Sequence, residues 1–404
     1  MKRLAPLCVI AGLLTAVLVP FALASGTART SAADRSPVAP VATAISTVTG
    51  IAISPLLGMG AYGAYQWMMA RDEAARAGLP WYAQWSFFGP ALLIVGACAV
   101  KDVFGAVLPP GWKKPLDVLE TVENKATGLV AAGAVVPFTA AALSKMLLGG
   151  DAVAPDSGFA STGFATIHLA GIDWASVLNV LTVPLSVAVF AFVWMASHAI
   201  NVLILLSPWG AIDAALKGAR TALLGLLTLS ATIDPWVGAG LSLVVILVSY
   251  FVAGWAFRLT VFGTAFSWDF FTMRHRRFRP AENDNPMFAG PNLPGVPART
   301  CGRLVQRSDG GDIEFFYRPW LVLPVRTAKV PAEQLVVGRG LFFSSIAADG
   351  GQTYFLLPPR YLGHEEELVR AYVFAGGVRP AGLRKAWSVL RELFGGSAAR
   401  TQMV

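Results

Sequence analysis

A mostly apolar stretch from Trp174 to Phe271, closed by the basic run Met273-Arg274-His275-Arg276-Arg277-Phe278-Arg279, limits what this chain can fold into. About twenty apolar residues cross a bilayer core of roughly 30 Å, and a Lys/Arg cluster just past the last span keeps its end cytoplasmic. The stretch reads as a membrane domain ending at a cytoplasmic stop. Composition agrees: 55% of residues are hydrophobic and 14% charged, where soluble domains run at roughly 45–50% and 25%. The formal charge is +8, and the residues from Met273 onward hold 18 Lys+Arg against 11 Asp+Glu, so most of the excess lies in the tail. Such a surplus suits an anionic leaflet, with Arg274, Arg276, Arg277 and Arg279 as its contacts. The expected partners are the membrane and an anionic lipid or protein at the tail, without nucleic acid.

Upstream, Met1-Lys2-Arg3 and the apolar run to Ala24 have the form of a secretory signal cleaved after Ala24, or of an uncleaved anchor. Either form leaves residues 25–40, rich in Ser, Ala, Thr and Pro, outside as a disordered lead. Val41 to Ala70 can span, bent or closely packed at Pro55 and at glycines 58, 60 and 63. Trp81, Tyr82 and Trp85 then read as an interfacial anchor.

Charge bias sets the direction of the later segments. Lys113, Lys114 and Lys125 precede the apolar run 128–148, and the loop 149–173 has no Lys or Arg, so that run crosses from inside to outside. Residues 86–108 must then begin and end on the cytoplasmic side. A re-entrant hairpin broken at Gly89-Pro90, Gly96 or Lys101-Asp102 satisfies this; a true span is the alternative. Between the two, Leu116 to Lys125 places Val118, Leu119 and Val122 on one helical face and Asp117, Glu120 and Glu123 nearer the other, an amphipathic surface helix.

Trp174 to Leu206 would make a helix of roughly 50 Å, longer than a bilayer core is thick. Pro184 is a candidate kink, and His198 with Asn201 a polar turn. Asp213 is spaced to pair with Lys217, and residues 211–233 suffice to span if Lys217 and Arg220 snorkel. Asp234-Pro235 is a turn, Val237 to Phe257 returns inward, and Leu259 to Phe271 is a separate interfacial helix. Lys101, Asp102, His198 and Asn201 form the candidate intramembrane polar site, because ionisable groups in hydrocarbon are costly to keep.

Two further segments resemble known families. Asp117-Val118-Leu119-Glu120-Thr121-Val122-Glu123-Asn124-Lys125-Ala126-Thr127-Gly128, with Ser197-His198-Ala199-Ile200-Asn201 and Leu206-Ser207-Pro208, is similar to the motifs of a bacterial multi-pass membrane family known as a domain of unknown function. Asn124 stands where that pattern has an acid. The resemblance implies membrane localisation and no activity. After a proline-rich linker, 280–299, short β-branched runs at 301–307, 313–318, 321–329, 340–347 and 352–357 are punctuated by Asp-Gly-Gly and Pro, and helices follow at 364–374 and 381–394. This tail, 300–395, resembles the small bacterial pleckstrin-homology-like domains.

The expected fold is an α-helical polytopic membrane domain followed by a small cytoplasmic antiparallel β domain with a capping helix. Cys8, Cys98 and Cys301 lack paired or metal-ligand spacing, and His364-Glu365-Glu366-Glu367 lacks the second His of a zinc helix. No nucleophile or acid/base set emerges, and no cofactor is expected. The expected function is a non-enzymatic scaffold or sensor in the bacterial inner membrane; a solute or lipid transporter is the alternative.

Overall fold

The structure is a computed structural model, and it describes residues 39–105, 115–133, 174–207, 210–306, 313–331 and 334–382. The expected signal, the lead up to residue 38, the run 134–148 and the helix expected at 381–394, from residue 383 on, lie outside the described residues. The chain divides into two compact units, Met1–Ala256 and Phe257–Val404.

The first unit is helical. Helices α1 (Ala39–Ile53) and α2 (Pro55–Met69) are separated by the single extended residue Ser54, with Pro55 opening α2. The bend is tight: a Cβ on Gly58 would lie 2.8 Å from the Ile51 α-carbon. A Cβ on Gly63 would lie 2.2 Å from the Tyr82 carbonyl oxygen, so α2 can rest against the turn Trp81–Ala83 only without a side chain there. The expected bent, closely packed segment is therefore two helices. Asp72 caps the short α3 (Glu73–Ala77), accepting from the Ala75 N–H at 2.7 Å.

Helix α4, Trp85–Gly105, runs without interruption, which overturns the hairpin expected over 86–108. Pro90 lies inside the helix and forgoes its own N–H bond without ending it, and an interior glycine such as Gly96 costs only about 1 kcal/mol relative to Ala. Helix α5 covers residues 115–133, and α6, Trp174–Leu206, passes through Pro184 unbroken. Helices α7 (Gly210–Ile233) and α8 (Pro235–Phe271) follow. The turn between them is where Asp234 was expected to make one, its carboxylate accepting from the Trp236 N–H at 2.7 Å. Among the described residues two segments are long and apolar enough to cross a membrane: Pro184–Leu206, with mean hydropathy 2.1, and Pro235–Phe271, with 2.2. Leu259 to Phe271 is not a separate helix. Nothing in that sequence breaks a helix at Arg258, so α8 continues through it for 37 residues.

The second unit begins with the last turns of α8 and is built on an eight-stranded sheet. Its strands are β1 (Asp284–Ala289), β2 (Cys301–Gln306), β3 (Ile313–Tyr317), β4 (Arg326–Lys329), β5 (Leu335–Arg339), β6 (Ser344–Ala348), β7 (Thr353–Leu357) and β8 (Val378–Pro380). The order is β4-β3-β2-β1-β7-β6-β5-β8, antiparallel except for the β5–β8 pair. Met287, Leu304, Phe315, Val337, Ile346, Phe355 and Tyr361 are fully buried in its core, with helix α9 (Glu365–Tyr372) contributing Leu368.

The expected linker is largely structure, because β1 lies within it and stands fourth from one edge and fifth from the other. Pro286 is compatible with that place. The Ala289 N–H bonds the Thr300 carbonyl while the next N–H, of Gly290, bonds the Tyr354 carbonyl. Alternation thus turns the nitrogen of Pro286 toward the β7 side, where β7 pairs only with Phe288 and Ala289. The Pro286 carbonyl is met instead by the Tyr361 hydroxyl, which donates at 2.8 Å.

Among the described residues of this unit two carboxylates are fully buried. Asp269 on α8 accepts from Arg360 Nε at 2.7 Å and lies 3.9 Å from Arg274 Nη1. Glu365 accepts from Ser344 Oγ at 2.8 Å and the Gly363 N–H at 2.9 Å, and pairs with Arg339 Nε at 3.2 Å. Cys301 is partly covered, and burial pushes its thiol above the ordinary range, with Arg360 opposing the shift. Since the thiolate is the nucleophile, iodoacetamide at pH 8 is expected to alkylate Cys301 more slowly in the folded protein than in denaturant. Equal rates would contradict this.

Candidate functional site

Three helices of the first unit bury polar side chains while turning large apolar ones outward, around an interior that also holds Val48, Ile51, Met59, Phe190 and Val193. On α5, the buried face carries Asp117, Thr121 and Asn124, while Leu119, Val122, Leu129 and Val130 are exposed. Of the three apolar residues assigned to one face of the expected amphipathic surface helix, Val118 is buried while Leu119 and Val122 are exposed. The same holds on α8, where Ser242 and Ser249 are buried and Leu243, Val244, Leu247, Val248 and Phe251 are exposed, Phe251 at 75%. On α7, Asp213 is buried while Leu226 and Ile233 are exposed.

The polar residues converge where α1 gives way to α2. Ending a helix leaves carbonyls without intrahelical partners, and the Ile53 carbonyl accepts from Ser197 Oγ of α6. One residue on, Ser54 Oγ accepts from Arg220 Nη2 of α7 at 3.2 Å. Arg220 Nη1 donates to Asn201 Oδ1. The adjacent His198, fully buried, meets Asn124 Oδ1 of α5 at 2.9 Å through Nδ1. With an amide oxygen as partner, Nδ1 carries the hydrogen and Nε2 presents a lone pair. Nε2 is buried, with no hydrogen-bond partner among the described residues. Trp194 stacks on the imidazole, ring centroids 5.1 Å apart, and lies so close to α5 that a Cβ on Gly128 would come within 2.2 Å of its indole nitrogen.

A second polar contact joins α5 to α7. Lys217 Nζ pairs with Glu120 Oε2 at 2.9 Å. The two partners are held on facing helices, and Asp213 lies buried nearby in sequence on the same helix. Arg220, expected to snorkel outward, is drawn into the cluster by Asn201 and Ser54.

Of the four residues expected to form a polar site, His198 and Asn201 meet in this cluster. Lys101 and Asp102 lie near the end of α4, and their side chains are outside what the structure describes. Sequence reasoning missed Ser54, Asn124, Ser197 and Arg220. Ser54 before Pro55 inside an apolar run carried a signal, because Pro disfavours helix in the residue before it. Asn124 with His198, and Gly128 with Trp194, join α5 to α6.

The four arginines expected to touch lipid lie around the turn Arg274–Arg276. Arg274 leans toward Asp269, Arg277 Nη2 donates to the Thr272 carbonyl at 2.9 Å, and Arg279 pairs with Glu367 at 2.7 Å. Arg276 is exposed. Among the described residues no group of three or more His, Cys, Asp or Glu could hold a metal ion. Comparison with family models, curated proteins and solved structures finds no match to this chain.

Proposed function

We propose that this chain is a multi-pass protein of the bacterial inner membrane with its β domain in the cytoplasm, serving as a non-enzymatic scaffold or sensor that binds a partner or anionic lipid through that domain. The observation that carries this reading is the burial of polar side chains on α5, α7 and α8 with large apolar ones turned outward. Water exposes polar faces and buries apolar ones; hydrocarbon makes the buried polar groups satisfy one another and leaves Leu, Val and Phe outside at no cost. The direction of insertion follows from the basic run after α8. Reporter fusions after residues 235 and 300 test it: the expected result is a periplasmic signal at 235 and a cytoplasmic one at 300. A periplasmic signal at 300 would overturn the orientation. For the binding role, the full chain extracted in polymer nanodiscs is expected to retain a stoichiometric protein or an enrichment of anionic phospholipid. Lipid of bulk composition with no bound protein would count against it.

The broken helix favours a second reading, as a transporter of a small solute or a lipid. Discontinuous helices with freed backbone groups build many transporter sites, and here the break is lined by Ser54, Ser197, Asn201 and Arg220, with the His198 lone pair adjacent. Under that reading Arg220→Gln and His198→Ala each abolish a transport phenotype while the protein still inserts. Unchanged transport in both, at normal abundance, would leave the cluster as a helix lock alone.

A further inference from the structure

We infer that the loop Pro319–Val325 of the β domain is a membrane-inserting element, seated in the leaflet from which α8 emerges; this rests on the membrane reading above. The loop joins β3 to the edge strand β4, and Trp320, Leu321, Val322, Leu323 and Val325 are all exposed, Val322 at 79%. Five large apolar side chains in one short exposed loop form a patch that water does not favour. Trp320 and Leu321 both take left-handed conformations, with φ of 55° and 63°, though neither residue is glycine.

What the loop touches indicates its occupant. Trp320 lies against Phe257, ring centroids 4.8 Å apart, and Phe257 closes the apolar run that starts at Pro235. The loop is therefore at the level where the helix leaves hydrocarbon, and the rest of α8, with Phe262, Phe266 and Asp269 buried, belongs to the domain. Charge at that level is positive. Arg258 Nε donates to the Ala298 carbonyl at 3.1 Å, which brings it beside Arg299. Arg318 and Arg326, both exposed, flank the loop. Apolar side chains ringed by arginines match acyl chains beneath anionic headgroups. The basic run around Arg274–Arg276 begins beyond Phe271, about 20 Å further along the helix by its rise per residue. The lipid contact thus moves from Arg274, Arg276, Arg277 and Arg279 to Arg258, Arg299, Arg318 and Arg326.

The test uses the full chain, with Cys8, Cys98 and Cys301 changed to serine, in vesicles of phosphatidylethanolamine and phosphatidylglycerol. An environment-sensitive fluorophore is placed by Val322→Cys, by Leu247→Cys on the exposed face of α8, or by Gly350→Cys in the β6–β7 turn. Doxyl-labelled lipid is expected to quench the label at 322 to a loss comparable with that at 247, and to leave 350 bright. Quenching at 247 but not at 322 overturns the proposal and spares the membrane reading; loss of quenching at both removes both. A label at 322 shielded from lipid and from aqueous iodide alike would show a protein cover, a second copy or another chain, and also overturns it. Leu323→Cys repeats the measurement should Val322→Cys fail to fold.

Discussion

Asp269→Ala is expected to destabilise the β domain by about 3–5 kcal/mol, because it leaves the Arg360 guanidinium without the carboxylate that compensates it. Arg360 Nε contacts Asp269 at 2.7 Å, and the two side chains are 12% and 0% exposed, so water replaces little of the lost interaction. For a unit of this size that is a fall in melting temperature of roughly 6–20 °C. Followed by tryptophan fluorescence of the full chain in detergent, Asp269→Asn should fall less, since its amide oxygen still accepts a hydrogen bond. Replacing both partners with leucine should recover part of the loss, because the cost lies in the unpaired charge. A double variant no more stable than Asp269→Ala would show that this contact is not the source.

Leu247→Arg separates the two solvents that could surround the helical unit. Leu247 is exposed near the middle of the apolar part of α8. On a protein surface in water such a change is usually within about 0.5 kcal/mol of neutral. At the centre of a membrane helix it costs at least about 2.5–3.5 kcal/mol on insertion scales. The expected outcome is a large loss of membrane-integrated protein, with Leu247→Ile unaffected. Normal integration of the arginine variant would place that face in water or a wet cavity.

The order of the fold, apolar helices followed by a mostly antiparallel sheet, was legible because it rests on apolar run length and strand punctuation, both one-dimensional. The turn at Asp234 and strands β2, β3, β6 and β7 were legible for similar reasons: local chemistry punctuates them. What failed depended on partners distant in sequence. The prolines around β1 suggested a linker, and only the pairing with β2 and β7 shows that the Pro286 nitrogen faces past the end of a ladder. Strand β5, Leu335-Val336-Val337-Gly338-Arg339, has four successive buried residues and so lacks the alternation that marks a half-exposed strand. Helix α5 has a clear amphipathic pattern, yet periodicity identifies two faces without saying which one meets solvent. In α8 the charge of Arg258 looked like an end, but a helix exchanging one apolar environment for another need not stop there.

The polar cluster was half legible. His198 and Asn201 stood out as polar residues in a long apolar run, whereas Asn124 and Arg220 lay in segments already rich in charge and carried no contrast. Ser54 depends on a backbone break that becomes visible only when Gly58 is seen against Ile51.

The most direct test of the account is oxygen and water accessibility along α8 in proteoliposomes. Nitroxide spin labels at residues 243, 244, 247 and 251 are compared with one at 292, an exposed position of the β domain. Molecular oxygen is expected to relax the four helix labels strongly while a water-soluble nickel chelate does not, with the order reversed at 292. Strong relaxation of the helix labels by the chelate would contradict the membrane-embedded unit on which the functional proposal rests.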